Sequence, residues 1–108
     1  MTPMQKIKKD RLGSAGWRVG EAADFLELSA EEAAFVELKL ALADYLRQVR
    51  VDRGWTQSEV ARQLRSSQSR VAKMEAADAS VSLDLLVKSL LTLGASRRDV
   101  GRVIAQAA

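Results

Sequence analysis

The sequence predicts an all-α fold, a compact bundle of about five to seven helices, and three observations support it. Alanine, leucine, arginine and glutamate dominate the chain of 108 residues, and these residue types favour helices. Pro3 is the single proline, so no later helix is interrupted by one. No alternating apolar and polar run is long enough for a strand. A chain of this length builds one small domain with a modest core.

Composition excludes several kinds of chemistry. The chain has no cysteine and no histidine, so it lacks disulfides, the usual zinc ligands and a Ser–His or Cys–His catalytic pair. We therefore expect no metal, no cofactor and no enzymatic activity. No apolar run approaches the length of a membrane span, and the basic start of the chain is not followed by the apolar segment of a secretory signal. The expected location is the cytoplasm.

The first part of the chain predicts two short helices ahead of the main fold. Residues 4–15 are typical of a basic helix, residues 16–20 of a turn, and residues 21–27 of a second short helix. We expect residues 1–37 to form an N-terminal helical extension. It should pack with residues 38–108 as one globular unit.

A long helix is predicted next, beginning at a capping box formed by Ser29 and Glu32 and ending at Gly54. It carries two apolar stripes, which is more than one small core usually needs. The helix is therefore either central and covered on both sides, or one stripe contacts a partner protein. We favour the first interpretation because most apolar stripes belong to cores. The stripes are Phe35, Leu38, Leu42, Tyr45 and Val49, and Val36, Leu40, Ala43 and Leu46.

Four shorter helices follow, and each has a serine or threonine at its predicted N-cap. The predicted helices are 57–64 after Thr56, 68–76 after Ser67, 83–93 after Ser82 and 97–106 after Ser96. The helix at 83–93 is apolar on almost every side, so it should lie at the centre of the core.

The helices at 57–64 and 68–76 are joined by only three residues, a link that makes two helices cross steeply. Val60, Ala61 and Leu64 are the inward positions of the first helix, and Val71 and Met74 those of the second. The outward set of the second helix is polar and consists of Gln68, Ser69, Arg70 and Lys73. Glutamine pairs well with adenine and arginine with guanine, whereas serine and lysine contact bases or phosphates.

The charge distribution agrees with a polyanion partner. Residues 21–44 contain seven acids and one lysine, a net charge of −6, whereas residues 47–73 contain seven bases and two acids, a net charge of +5. A basic region beside an acidic one suggests a face for nucleic acid, with ordinary solvated helix charge as the alternative.

The spacing of these residues resembles a known family. The pattern Thr56-Gln57-x-Glu59-x-Ala61-x-x-Leu64, then Ser67-x-Ser69-x-Val71-x-x-x-Glu75, is similar to the Cro/repressor type of helix-turn-helix, the XRE family. The resemblance covers about Leu38 to Ala95. It implies a repressor-like fold that binds double-stranded operator DNA, and a structural pair between Glu75 and Arg50, with Arg47 as the fallback partner. The DNA-binding residues expected here are Gln57 for phosphate, Gln68, Ser69 and Arg70 for bases, and also Arg65, Ser67 and Lys73.

Two positions depart from the family pattern. The family usually has glycine where Arg65 stands, at a turn that favours the left-handed conformation. Arginine in that conformation would cost about 1 kcal/mol, which a phosphate contact could offset, unless the turn has another shape. The family also favours glycine shortly after the position of Glu75, where this chain has alanines. We therefore expect the second helix of the pair to continue slightly beyond that residue.

The start of the chain is similar to the leading segment of HigA-like antitoxins, on the residues Gly16 to Gly20 and Phe25 to Ser29. This resemblance implies an antitoxin that neutralises a small basic RelE/HigB-like toxin and represses its own operon. The possible toxin-binding residues are Trp17, Phe25, Phe35 and Leu38. For Trp17, packing on the base of the long helix is an equal alternative. Trp55 is expected in the core.

A single short recognition helix contacts one half of an operator site and binds it weakly. Proteins of this kind therefore generally bind DNA as homodimers. The expected dimer contact is the face of the last helix formed by Val100, Val103 and Ile104, with packing onto helix 83–93 as the alternative. Two other functions are kept beside the antitoxin. One is a freestanding repressor without a toxin, and the other is a protein-interaction module that uses this fold without DNA.

Overall fold

The computed structural model describes residues 28–107, and within this range the chain forms α-helices and no strand. The predicted all-α class is confirmed, and each helix predicted in this range is present. The predicted basic helix at 4–15, the turn at 16–20 and the short helix at 21–27 lie outside the described residues. The helices are α1 (Ala30–Asp52), α2 (Gln57–Leu64), α3 (Gln68–Glu75), α4 (Leu83–Thr92) and α5 (Arg97–Gln106).

Each of these helices begins at the serine or threonine predicted to cap it. At the start of α5, the Ser96 hydroxyl accepts from the backbone N–H of Asp99 at 3.0 Å. In return, the Ser96 N–H donates to the Asp99 carboxylate at 3.2 Å. The hydrogen bond from the Ser96 backbone N–H favours the charged carboxylate and lowers the pKa of Asp99. This contribution to stability is present above the ordinary pKa of aspartate and is lost as the pH falls through the lowered one.

Helix α1 lies at the centre of the bundle and contacts α3, α4 and α5. Leu42 of one apolar stripe and Leu46 of the other are both fully buried. They pack with Leu86 and Leu90 of α4, which are also fully buried. The interpretation of α1 as a central helix covered on both sides is therefore confirmed for its middle turns. Near its start, Phe35 stays 50% exposed.

The C-terminal ends of α1 to α4 share one backbone arrangement, in which a residue with positive φ follows the helix. Gly54 and Gly94 occupy this position after α1 and α4, whereas Arg65 and Ala77 occupy it after α2 and α3. At Ala77 the turn is fixed by two bonds, because the Asp78 N–H donates to the Lys73 carbonyl at 3.0 Å and the Ala77 N–H to that of Met74 at 3.1 Å. The expected continuation of this helix beyond Glu75 is therefore wrong.

Replacing Ala77 with glycine should raise the free energy of unfolding by about 1 kcal/mol, because glycine removes the steric cost of the left-handed conformation. Thermal unfolding of the full chain measures the change. The neighbouring Ala76 is the matched control, since its φ of −85° is ordinary and glycine there should destabilise. Equal destabilisation by both substitutions would contradict the left-handed turn.

Candidate nucleic-acid interface

Helices α2 and α3 pack closely through small and medium apolar side chains. Val60 and Ala61 of α2 are buried, as are Val71 and Met74 of α3, so these predicted inward positions are confirmed. The connecting turn has Arg65 in the left-handed conformation, with φ 53° and ψ 48°. The turn therefore has the shape in which the family usually has glycine. It makes α3 present one face to its neighbours and the opposite face to solvent.

The solvent face of α3 brings the predicted base-reading residues together. Gln68, Ser69, Arg70 and Lys73 are all exposed and lie within the first two turns of the helix. Ser67 stands just before them, and its hydroxyl accepts from the Arg70 N–H at 3.2 Å. Ser67 thus fixes the start of α3 while remaining exposed beside the other polar groups.

The predicted pair between Arg50 and Glu75 is present and joins α1 to α3. Arg50 Nε lies 2.6 Å from Glu75 Oε2, and Nη2 lies 3.1 Å from Oε1, so the contact is bidentate. The third guanidinium nitrogen, Nη1, donates to the Trp55 carbonyl at 3.0 Å. The hydrogen bonds that the guanidinium donates to the Glu75 carboxylate raise the pKa of Arg50. Glu75 is only 6% exposed, and Arg50 rather than Arg47 is its partner.

Gln57 connects this ion pair to the solvent face of α3, a role that the sequence did not reveal. Its Nε2 donates to Glu75 Oε1 at 3.2 Å, and its Oε1 accepts from Gln68 Nε2 at 2.6 Å. A carboxylate only accepts hydrogen bonds, so Gln57 must turn its NH₂ to Glu75 and its oxygen to Gln68. The amide of Gln68 is then oriented as well. A continuous chain of hydrogen bonds therefore runs from Arg50 to the first residue of α3.

A protein-family model described as a helix-turn-helix domain matches residues 41–103, which include α2, the turn and α3. The match covers more than half of the chain. This chain belongs to the helix-turn-helix domain family. No curated protein and no solved structure matches it. The predicted helix-turn-helix is thus confirmed, whereas the resemblance to HigA-like antitoxins has no relative behind it and stays a prediction.

Arg53, at the end of α1, has a structural role in the helix-turn-helix domain that the sequence did not reveal. Its guanidinium lies 5.0 Å from the centre of the Trp55 ring and donates through Nη1 to the Leu93 carbonyl at the end of α4. Trp55 is partly buried against the core, as expected. The sequence signal that could have predicted this contact is an arginine two residues before a tryptophan at the end of a helix. These contacts hold the segment before α2 in place.

Of the residues predicted to contact a second copy of the chain or a toxin, some are buried and others lie outside the described residues. Val100 and Val103 are buried in the core of the helix-turn-helix domain, which corrects their assignment to an exposed dimer contact, and Ile104 is 40% exposed. Leu38 is partly buried against the core. Trp17 and Phe25 lie outside the described residues. Within the range that the structure describes, no helix is both long enough and apolar enough to span a bilayer.

Proposed function

We propose that this protein is a sequence-specific DNA-binding transcription regulator, and that α3 enters the major groove. The observation that carries the proposal is the exposed polar face of α3 together with the hydrogen-bond chain that orients Gln68. A side chain held in one orientation before binding loses less conformational freedom when it contacts a base. The buried Glu75 carboxylate, which accepts from both Arg50 of α1 and Gln57 of α2, fixes that orientation relative to α1 and α2.

Each residue of the face suits a particular contact. Gln68 presents an amide oxygen and an N–H to adenine, and Arg70 presents its fork of donors to guanine. Ser69 and Lys73 contact neighbouring bases or phosphates. Gln57 gives one hydrogen of its NH₂ group to Glu75 and keeps the other for a phosphate oxygen near the start of α2. In the proposed complex, Ser67 lies beside the same stretch of DNA phosphate backbone.

We propose that the regulator binds as a homodimer, with two copies of α3 in successive major grooves about 34 Å apart. Ile104 on α5 is the exposed apolar residue that supports this part of the proposal. Selection of duplexes from a random-sequence library tests both claims. An inverted repeat with half-sites one helical turn apart is expected. A single unrepeated motif would contradict the dimer, and no enrichment at all would contradict sequence-specific binding.

Replacing Gln57 with alanine should weaken adenine preference at one position of each half-site. The substitution removes the group that orients Gln68 while leaving the Arg50–Glu75 pair in place, so we expect a stability loss of only about 1 kcal/mol. Competition between selected duplexes that differ at that position measures the preference. Ser58 is the exposed neighbour on α2, and replacing it with alanine provides the control. An unchanged adenine preference would contradict the orienting role.

We further propose that the regulator is the antitoxin of a toxin–antitoxin pair, with a small basic toxin as its partner. The start of α1 supports this, because Glu31 and Glu32 are exposed beside the half-exposed Phe35. Acidic residues around an aromatic side chain suit a basic protein surface. The alternative is a freestanding repressor without a toxin.

A pull-down of the tagged full chain from its native cell extract, after nuclease treatment, separates these alternatives. A stoichiometric small basic protein identified by mass spectrometry is the expected result. Replacing Phe35 with serine should release it, whereas the same change at Leu91 of α4, an apolar residue that is 41% exposed, should not. No bound protein, together with retained DNA binding, would leave the freestanding repressor.

A further inference from the structure

The arginine at the turn between α2 and α3 occupies a conformation that suits glycine. Its φ of 53° and ψ of 48° bring the β-carbon of an L residue too close to the next carbonyl oxygen. Two hydrogen bonds impose this shape: the Arg65 N–H donates to the Arg62 carbonyl at 3.2 Å and the Ser66 N–H to the Ala61 carbonyl at 2.8 Å. The same motif has glycine after α1 and α4.

Among the described residues, no polar contact of the Arg65 side chain offsets this strain. The residue is exposed, and within residues 28–107 no hydrogen bond or ion pair of its guanidinium is present. Between Val60 and Met74 the chain carries Arg62, Arg65, Arg70 and Lys73 and no acidic residue. A segment that carries charges of one sign only favours the approach of a polyanion.

We propose that Arg65 is a DNA phosphate contact at the turn, and that this position exchanges fold stability for DNA affinity. The inference rests on the proposed DNA binding and adds a contact with the DNA phosphate backbone that lies outside the exposed polar face of α3. Arg65 is exposed and stands two residues before Ser67, the N-cap of α3, so it lies near the end of α3 that enters the groove in the proposed complex. A phosphate there neutralises the guanidinium without reading sequence.

Three variants of the full chain test the inference: Arg65→Gly, Arg65→Lys and Ala77→Gly. The probe is a labelled short duplex enriched by the wild-type protein from a random library, titrated at several salt concentrations. For Arg65→Gly we expect a melting temperature a few degrees higher and affinity about tenfold weaker. The slope of log affinity against log salt should fall by about 0.9 per bound chain. The loss should be equal for matched and mismatched duplexes.

The two other variants separate charge from strain. Arg65→Lys should keep the wild-type salt slope, and Ala77→Gly should raise the melting temperature like Arg65→Gly while leaving affinity and slope unchanged. If Arg65→Gly binds with unchanged affinity and slope, the phosphate contact is wrong, although the proposed DNA binding stands. If the wild-type protein enriches no duplex, it is the proposed function that fails.

Discussion

Replacing Glu75 with alanine is expected to lower the free energy of unfolding by about 3–5 kcal/mol and to weaken sequence-specific DNA binding at the same time. The substitution leaves the Arg50 guanidinium partly buried without its bidentate partner, which costs more than the pair itself contributes. It also removes the acceptor that orients Gln57, so the amide of Gln68 is no longer fixed. Urea unfolding and duplex titration measure the two effects.

Two controls make this prediction specific. Arg102→Ala breaks an exposed pair with Asp99 and should cost at most about 0.5 kcal/mol. The double substitution Arg50→Met with Glu75→Leu replaces both charges by apolar groups and should recover much of the stability. It should not recover the adenine preference, because Gln57 still lacks the acceptor that orients it and Gln68. A Glu75→Ala protein that unfolds like the wild type would show that the pair does not fix α3 to α1.

Replacing Arg70 with alanine is expected to lose about 1–3 kcal/mol of discrimination at one position of each half-site. Arg70 is exposed in the first turn of α3, where its guanidinium can form two hydrogen bonds with guanine. Titration of the selected duplex and of duplexes changed at that position measures the discrimination.

Lys73→Ala is the matched control on the same face, because a lysine that contacts phosphate contributes to affinity for every sequence. It should weaken all duplexes alike and lower the salt slope. If Arg70→Ala also weakened all duplexes by one factor, Arg70 would be a phosphate contact and the assignment to guanine would be wrong.

Local rules were sufficient to predict where the described helices begin. Each N-cap depends on a hydroxyl and a backbone N–H three residues later, so the sequence carries the whole interaction. The pair between Arg50 and Glu75 joins residues 25 positions apart, and only the family resemblance predicted it. The role of Gln57 escaped prediction, because it depends on how α2 and α3 cross.

The end of α3 shows why the remaining features were not predictable. Alanine favours helices, so the alanines after Glu75 predicted that α3 continues beyond that residue. In the structure, Val81 is 2% exposed, and the chain must leave the helix to bring it into the core. Lys39 of α1 also donates to the Asp78 carbonyl at 2.7 Å. At α5, the stripe with Val100 and Val103 has the same spacing whether it faces a core or a partner.

Methylation of guanine N7, which lies in the major groove, tests directly whether α3 reads DNA there. The selected duplex is sparsely methylated with dimethyl sulfate, bound and free fractions are separated, and the modified guanines are mapped. Methylation should block wild-type binding at guanines in two major grooves about 34 Å apart, and Arg70→Ala should remove that dependence. Binding that tolerates N7 methylation but is blocked by adenine N3 methylation in the minor groove would contradict the placement of α3.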